Sequence, residues 1–225
     1  MTETKKDFID LTQFNKDELI FLIEDGISKK NISAKTGMAS VDEDACAKDK
    51  ILATIFEKPS TRTRFSFETA MYQLGGKTIY ANMSDMQLGR GETIEDTAKV
   101  ISRYVDIAVL RTNKHSTLES FAKNASIPVI NGLTNKSHPC QVLADLITVK
   151  EHIGDIENKS YVWFGPANNM LTSWIHAAQI IGFELRICSP KDYSVENNLV
   201  SGFPNIIIDL DPNDAAKDCD CIITD

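Results

Sequence analysis

Ser60, Thr61, Arg62, Thr63 and Arg64 gather three hydroxyls and two guanidiniums within five consecutive residues. Hydroxyls donate hydrogen bonds, and guanidiniums present planar forks that match phosphate oxygens. The chemistry this suits is capture of a small anion, above all a phosphate. Farther along, Arg111 at the end of a strand and His138 just ahead of Pro139 offer a cation and an imidazole at strand-edge positions where ligand sites gather. A plainer reading of the same residues is a helix capped by Ser60 with both arginines solvated. Against it, cations in the first turn of a helix oppose the dipole unless an anion answers them.

The surrounding pattern places these residues. The apolar run 51–56 reads as a buried strand. Phe67, Ala70, Met71 and Leu74 recur at helical spacing, and Gly75-Gly76 close that helix. The hydroxyls and guanidiniums therefore fall where a strand hands over to a helix. Upstream, Asn15 with Glu18 predicts a capping box, followed by the stripe Leu19, Leu22, Ile23 and Ile27; 33–49 is polar and irregular. Downstream, 77–81 reads as a strand, 84–92 as a glycine-containing mobile loop, 93–104 as a helix and 107–110 as a strand ending at Arg111. A helix over 116–124 and a strand over 128–130 follow, with Asn131-Gly132-Leu133-Thr134 after that strand. Strands alternating with helices predict a parallel sheet, whose ligands collect at the carboxyl ends of the strands.

Pro139 suits the first turn of a helix running through His152, with Leu143, Leu146, Ile147 and Lys150 inward. The pattern then restarts: a strand over 160–164, a turn over 165–169, a helix ending near Gly182, and strands over 185–188, 206–209 and 221–224. The 165–169 turn holds one glycine, so dinucleotide binding gains little support. The expected fold is α/β, with two parallel-sheet domains, 1–137 and 138–225, bridged by a helix over 138–153. The second sheet stops on a strand, and that domain is expected to be cut short.

Composition narrows the function. Of 225 residues, 42% are apolar and 25% charged, as in ordinary globular proteins. The net charge of −8 provides no basic field for nucleic acid or an anionic membrane, so an anion must be captured locally. No apolar run approaches the roughly 20 residues that span a bilayer, and the start carries no secretory pattern. Five cysteines without a Cys-x-x-Cys pair imply reduced thiols and a cytoplasmic setting. Cys219 and Cys221 are expected on one face of a strand, with too few companions for a metal site. Cys140 reads as a packed residue. His115, His152 and His176 read as structural.

Phe56-Glu57-Lys58-Pro59-Ser60-Thr61-Arg62-Thr63-Arg64-Phe65-Ser66-Phe67-Glu68 resembles the carbamoyl-phosphate motif of the aspartate/ornithine carbamoyltransferase family. The resemblance runs from about residue 8 to the end and includes 87–97, 131–135 and 138–146. Cys140, Ala144-Asp145-Leu146 and Gly165-x-x-Asn168-Asn169 are similar to the ornithine-type members. The reaction this implies is carbamoyl transfer from carbamoyl phosphate to the δ-amine of L-ornithine, giving L-citrulline and phosphate in arginine metabolism, with no cofactor or metal. The resemblance assigns Ser60, Thr61, Arg62 and Thr63 to the phosphate, and Arg111 and His138, with Arg62, to the reacting groups. It assigns Gln141 to the carbamoyl amide and Asn169 to the amino acid. Gln87 would reach the phosphate in a neighbouring subunit, which implies a homotrimer. Two departures stand out. Pro166 occupies a place where many relatives carry Asp, and the family's Asp-x-x-x-Ser-Met-Gly and His-Cys-Leu-Pro motifs do not occur. Aspartate or putrescine as the acceptor, and a non-catalytic remnant that binds carbamoyl phosphate, are the alternatives.

Overall fold

A computed structural model describes residues 5–87, 91–208 and 210–225. The chain forms two compact units, Met1–Ile9 with Ser28–Asn135 and Asp10–Ile27 with Lys136–Asp225. Helix α1 (Lys16–Thr36) contributes to both. It starts on the predicted capping box: Asn15 Oδ1 accepts from the Glu18 N–H at 2.9 Å, and Glu18 Oε2 accepts from the Asn15 N–H at 3.0 Å.

In the first unit, strands β1 (Ile51–Phe56), β2 (Lys77–Asn82), β3 (Ile107–Arg111) and β4 (Val129–Leu133) form a wholly parallel sheet. The strands are joined through α2 (Thr61–Gln73), α3 (Ile94–Ile101) and α4 (His115–Asn124). Every β1 residue after Ile51 is buried, as befits a central strand covered on both faces. Alternation divides its side chains. Ala53 and Ile55 join Ala108, Leu110, Ala98, Leu118 and Phe121 on one face, while Leu52 and Phe56 join Val109 and Met71 on the other.

The strand order is β2-β1-β3-β4. The chain steps from β1 to one side, then returns to the other, so β1 and β3 become neighbours at a topological switch point. Crevices outside the carboxyl ends of such strands bind ligands. The expected end of β4 at residue 130 is corrected, because the strand continues through Asn131, Gly132 and Leu133. Its pairing with β3 slips between Leu110 and Arg111. A Cβ on Gly132 would lie 2.9 Å from Val109 Cγ1 and 3.1 Å from the Leu110 carbonyl, so only glycine lets β4 approach here. Helix α3 is also shorter than expected, since Thr93 caps it and it ends at Ile101.

The second unit has strands β5 (Ser160–Phe164), β6 (Glu184–Cys188), β7 (Ile206–Ile207) and β8 (Cys221–Ile223), parallel throughout in the order β7-β6-β5-β8. Its helices are α5 (Pro139–His152), α6 (Asn169–Ile181), α7 (Asn197–Val200) and α8 (Pro212–Ala216). Tyr161, Trp174 and Phe183 pack their rings together at the centre. Of the predicted inward stripe of α5, Leu143, Leu146, Ile147 and Lys150, Leu146 is buried, while Pro139, Val142 and Val149 take the other buried places. The inward face lies a residue away because α5 packs against α6, and size alone did not reveal which apolar side chains turn in. Cys219 lies outside β8, so the two thiols do not alternate along one strand. Asp209, expected within β7, lies outside the described residues. Residues 10–27 belong to this unit although they precede the first sheet in sequence. No described helix is long and apolar enough to cross a membrane.

Candidate functional site

The first unit builds a cationic cluster at the start of α2. Ser60 occupies the N-cap in extended conformation, and its hydroxyl accepts from the Thr63 N–H at 3.4 Å. The same hydroxyl donates to Thr63 Oγ1 at 2.9 Å. Arg111 Nη1 also donates to Thr63 Oγ1, at 3.1 Å. Arg111 ends β3 directly beside Phe56 of β1, and its carbonyl accepts from the Glu57 N–H at 2.8 Å. The switch point of the sheet and the amino end of α2 thus converge on Thr63. Because Thr63 Oγ1 already accepts two bonds, its own proton remains available to donate.

The charges here lack an answer. Burial, and then the neighbouring Arg62 charge, pull the Arg111 guanidinium below its ordinary range. Arg111 Nε is buried without a hydrogen-bond partner among the described residues, and Arg62 has no acidic partner among them. Two uncompensated cations at the positive end of a helix dipole are costly together, and an anion relieves that cost.

Arg64 does not join this cluster, which corrects the expectation that both arginines of the motif face the anion. Its Nε donates to Glu68 Oε1 at 2.8 Å, and its guanidinium stacks 3.8 Å over the Tyr80 ring. Residues two apart on a helix point to opposite sides. Thr61 is the first residue of α2 and is exposed. Gln87 is also exposed and hydrogen-bonds to none of these residues. Leu88, Gly89 and Arg90 of its motif lie outside the described residues.

The remaining predicted residues belong to the second unit. His138 is the N-cap of α5, with Pro139 at the first helical position. The imidazole makes no capping hydrogen bond, while the His138 N–H donates to Ser173 Oγ at 2.8 Å. Gln141 is exposed in the first turn, where its Nε2 donates to Asp145 Oδ1 at 2.9 Å. Burial pushes the Asp145 carboxyl up, against the lowering effect of this bond. Asn168, not Asn169, caps α6: its Oδ1 accepts from the N–H groups of Met170 at 2.9 Å and Leu171 at 3.1 Å. Asn169 is the first helical residue, so the capping role that would have explained it structurally is taken by its neighbour. Both asparagines follow β5, at the switch point between β5 and β8. Burial pushes the Cys140 thiol up to about 12, which keeps it neutral and suits packing rather than nucleophilic attack.

Sequence reasoning missed Asp10, Ser173 and the partner of His176. Asp10 Oδ1 lies 2.7 Å from His176 Nδ1, and both residues are buried. Partners 166 positions apart leave no local signal.

Residues 6–151 match the carbamoyl-P binding domain of aspartate/ornithine carbamoyltransferase, and residues 157–225 match its Asp/Orn binding domain. The chain belongs to the aspartate/ornithine carbamoyltransferase family. Over 222 residues it is 46% identical to the ornithine carbamoyltransferase of Caulobacter vibrioides, covering 97% of this chain and 71% of that protein. Over 179 residues it is 52% identical to the ornithine carbamoyltransferase of Burkholderia lata, covering 79% and 58% respectively. The matched stretch thus spans about 58–71% of the length of these relatives. The solved ornithine carbamoyltransferase of Pyrococcus furiosus is similar with a TM-score of 0.89 at 38% identity, covering 100% of this chain and 72% of that one. The one from Burkholderia thailandensis E264 is similar at 0.87 and 42%, covering 97% and 74%.

Proposed function

We propose that this chain transfers the carbamoyl group of carbamoyl phosphate to the δ-amine of L-ornithine, as a cytoplasmic enzyme of arginine metabolism. The amine attacks the carbamoyl carbon, the bond from that carbon to the phosphate oxygen breaks, and the nitrogen loses a proton. L-Citrulline and phosphate result. Negative charge grows on the carbamoyl oxygen and on the departing phosphate, so donors fixed in advance are the main catalytic device available. Ser60, Thr61, Arg62 and Thr63 bind the phosphate in this reading. Arg111 and His138 polarise the carbamoyl oxygen, Gln141 holds the carbamoyl amide, and Asn169 takes the amino acid's backbone groups. Gln87 serves a neighbouring subunit of a homotrimer. No step calls for a cofactor or a metal.

The observation that carries the reading is the buried, partnerless Nε of Arg111 beside the Arg62 charge at the amino end of α2. Family membership and the names of the relatives support the donor and the acceptor. Calorimetry with carbamoyl phosphate tests the donor. Arg62→Ala is expected to weaken binding about 10- to 100-fold, the worth of a charged hydrogen bond, and unchanged affinity would reject the assignment. Product formation with ornithine, putrescine and aspartate tests the acceptor, with citrulline the expected product.

A further inference from the structure

We infer that Ser173 is a positioning residue, whose one buried hydroxyl fastens His138 to the first turn of α6. The inference rests on the proposed carbamoyl transfer, in which His138 and Asn169 face the substrates. Ser173 is fully buried. Its Oγ accepts from the His138 N–H at 2.8 Å and donates to the Asn169 carbonyl at 3.2 Å, one turn back along α6. A hydroxyl carries one proton, and here that proton and a lone pair link the two residues to which the reading gives different substrates.

The link answers a specific need of α5. A helix leaves its first N–H groups without intrahelical acceptors, and the N-cap N–H of His138 is one of these. Pro139 has no N–H to share the load. Ser173 satisfies this donor through the backbone and so holds the His138 main chain at φ −137° and ψ 69°.

A second contact grips the same segment. His176 follows Ser173 by three residues and shares its helix face. His176 Nδ1 lies 2.7 Å from Asp10 Oδ1, and the same carboxylate hydrogen-bonds the side chain of Ser137, next to His138. The Ser137 side chain, through Asp10 and His176, and the His138 amide, through Ser173, are therefore both tied to α6. Catalytic groups need placement within about 0.5 Å, and a displacement of about 1 Å can cost about 100-fold in rate.

The test compares Ser173→Ala, Ser173→Thr and Asn205→Ala in the full chain. Asn205 serves as a structural control at the other end of α6, where its amide donates to the Ala178 and Phe183 carbonyls. Ser173→Ala is expected to lower kcat at least 10-fold and raise KM for ornithine, with carbamoyl-phosphate affinity within about twofold of wild type. Ser173→Thr, which keeps the hydroxyl, is expected to recover most of the turnover. Asn205→Ala is expected to lower thermal stability without changing kcat. In NMR spectra the His138 amide and imidazole resonances should move in Ser173→Ala and not in Asn205→Ala, whether or not ornithine is turned over. Unmoved His138 resonances in Ser173→Ala, or an equal loss of kcat in Asn205→Ala, would overturn the inference. A wild-type chain that neither binds carbamoyl phosphate nor makes citrulline would instead reject the proposed function, and the resonances would still judge the role of Ser173.

Discussion

The Arg111 guanidinium donates to the Thr63 hydroxyl at 3.1 Å, across 48 residues of sequence. The bond ties the end of β3 to the first turn of α2 and brings the only partly hydrated Arg111 up to the helix dipole. Thr63→Val removes the shared acceptor and the spare proton while keeping the shape. It is expected to weaken phosphate and carbamoyl-phosphate binding about 10-fold, on the scale of one or two hydrogen bonds. Thr63→Ser should bind close to wild type. Calorimetry of the two variants checks the pair.

Arg64 lies one position from Thr63 but serves the scaffold. Its bond to Glu68 and its stack on Tyr80 hold the flank of α2 against β2. Arg64→Ala should leave carbamoyl-phosphate affinity within about twofold of wild type and cost about 0.5–1 kcal/mol of stability, as half-exposed pairs of this kind do. Parallel binding and urea-melt measurements on Arg62→Ala and Arg64→Ala would show opposite patterns.

The Asp10 carboxyl gives the second unit an acid-sensitive fastening. Burial alone would raise its pKa, but the His176 bond and charge, the Ser137 side chain and the Leu11 N–H together hold it below the usual carboxylate value. A depressed folded pKa contributes stability that is complete above the unfolded value of about 3.9 and is lost as pH falls through the folded value. Wild type should therefore lose stability below about pH 4 more steeply than Asp10→Asn, whose melting temperature should be lower at neutral pH. Thermal melts from pH 7 to pH 3 measure the difference.

Cysteine alkylation separates packed from accessible thiols. Burial pushes Cys140 up to about 12, so almost no thiolate forms at pH 8, while Cys46 is exposed. Iodoacetamide under native conditions should label Cys46 well before Cys140, as peptide mass mapping over time would record. Denaturation should remove the difference.

Much of the architecture was readable from near neighbours in the chain. The Asn15–Glu18 box, the β1-to-α2 handover at Ser60 and the glycine end of α6 depend on residues within a few positions of one another, so composition and spacing were sufficient. The alternation of strands and helices likewise announced two parallel sheets. The inward face of α5 was misjudged because Leu143 and Ile147 are as apolar as Val142 and Val149, and only packing against α6 chose between them. Arg64 was misassigned because its motif is continuous in sequence, whereas a helix turns successive side chains about 100° apart.

Short-range chemistry, in which donor and acceptor are separated by a turn or less, thus dictated the elements, their caps and the cationic stretch that opens α2. The packed chain settled the rest: that β3 lies beside β1 and delivers Arg111 to Thr63, and that Ser173 and Asp10 hold the segment around His138. Those outcomes depend on strand order and on hydrogen bonds between groups tens of residues or more apart. Their closure is favoured only once the core has formed, so no local pattern records them.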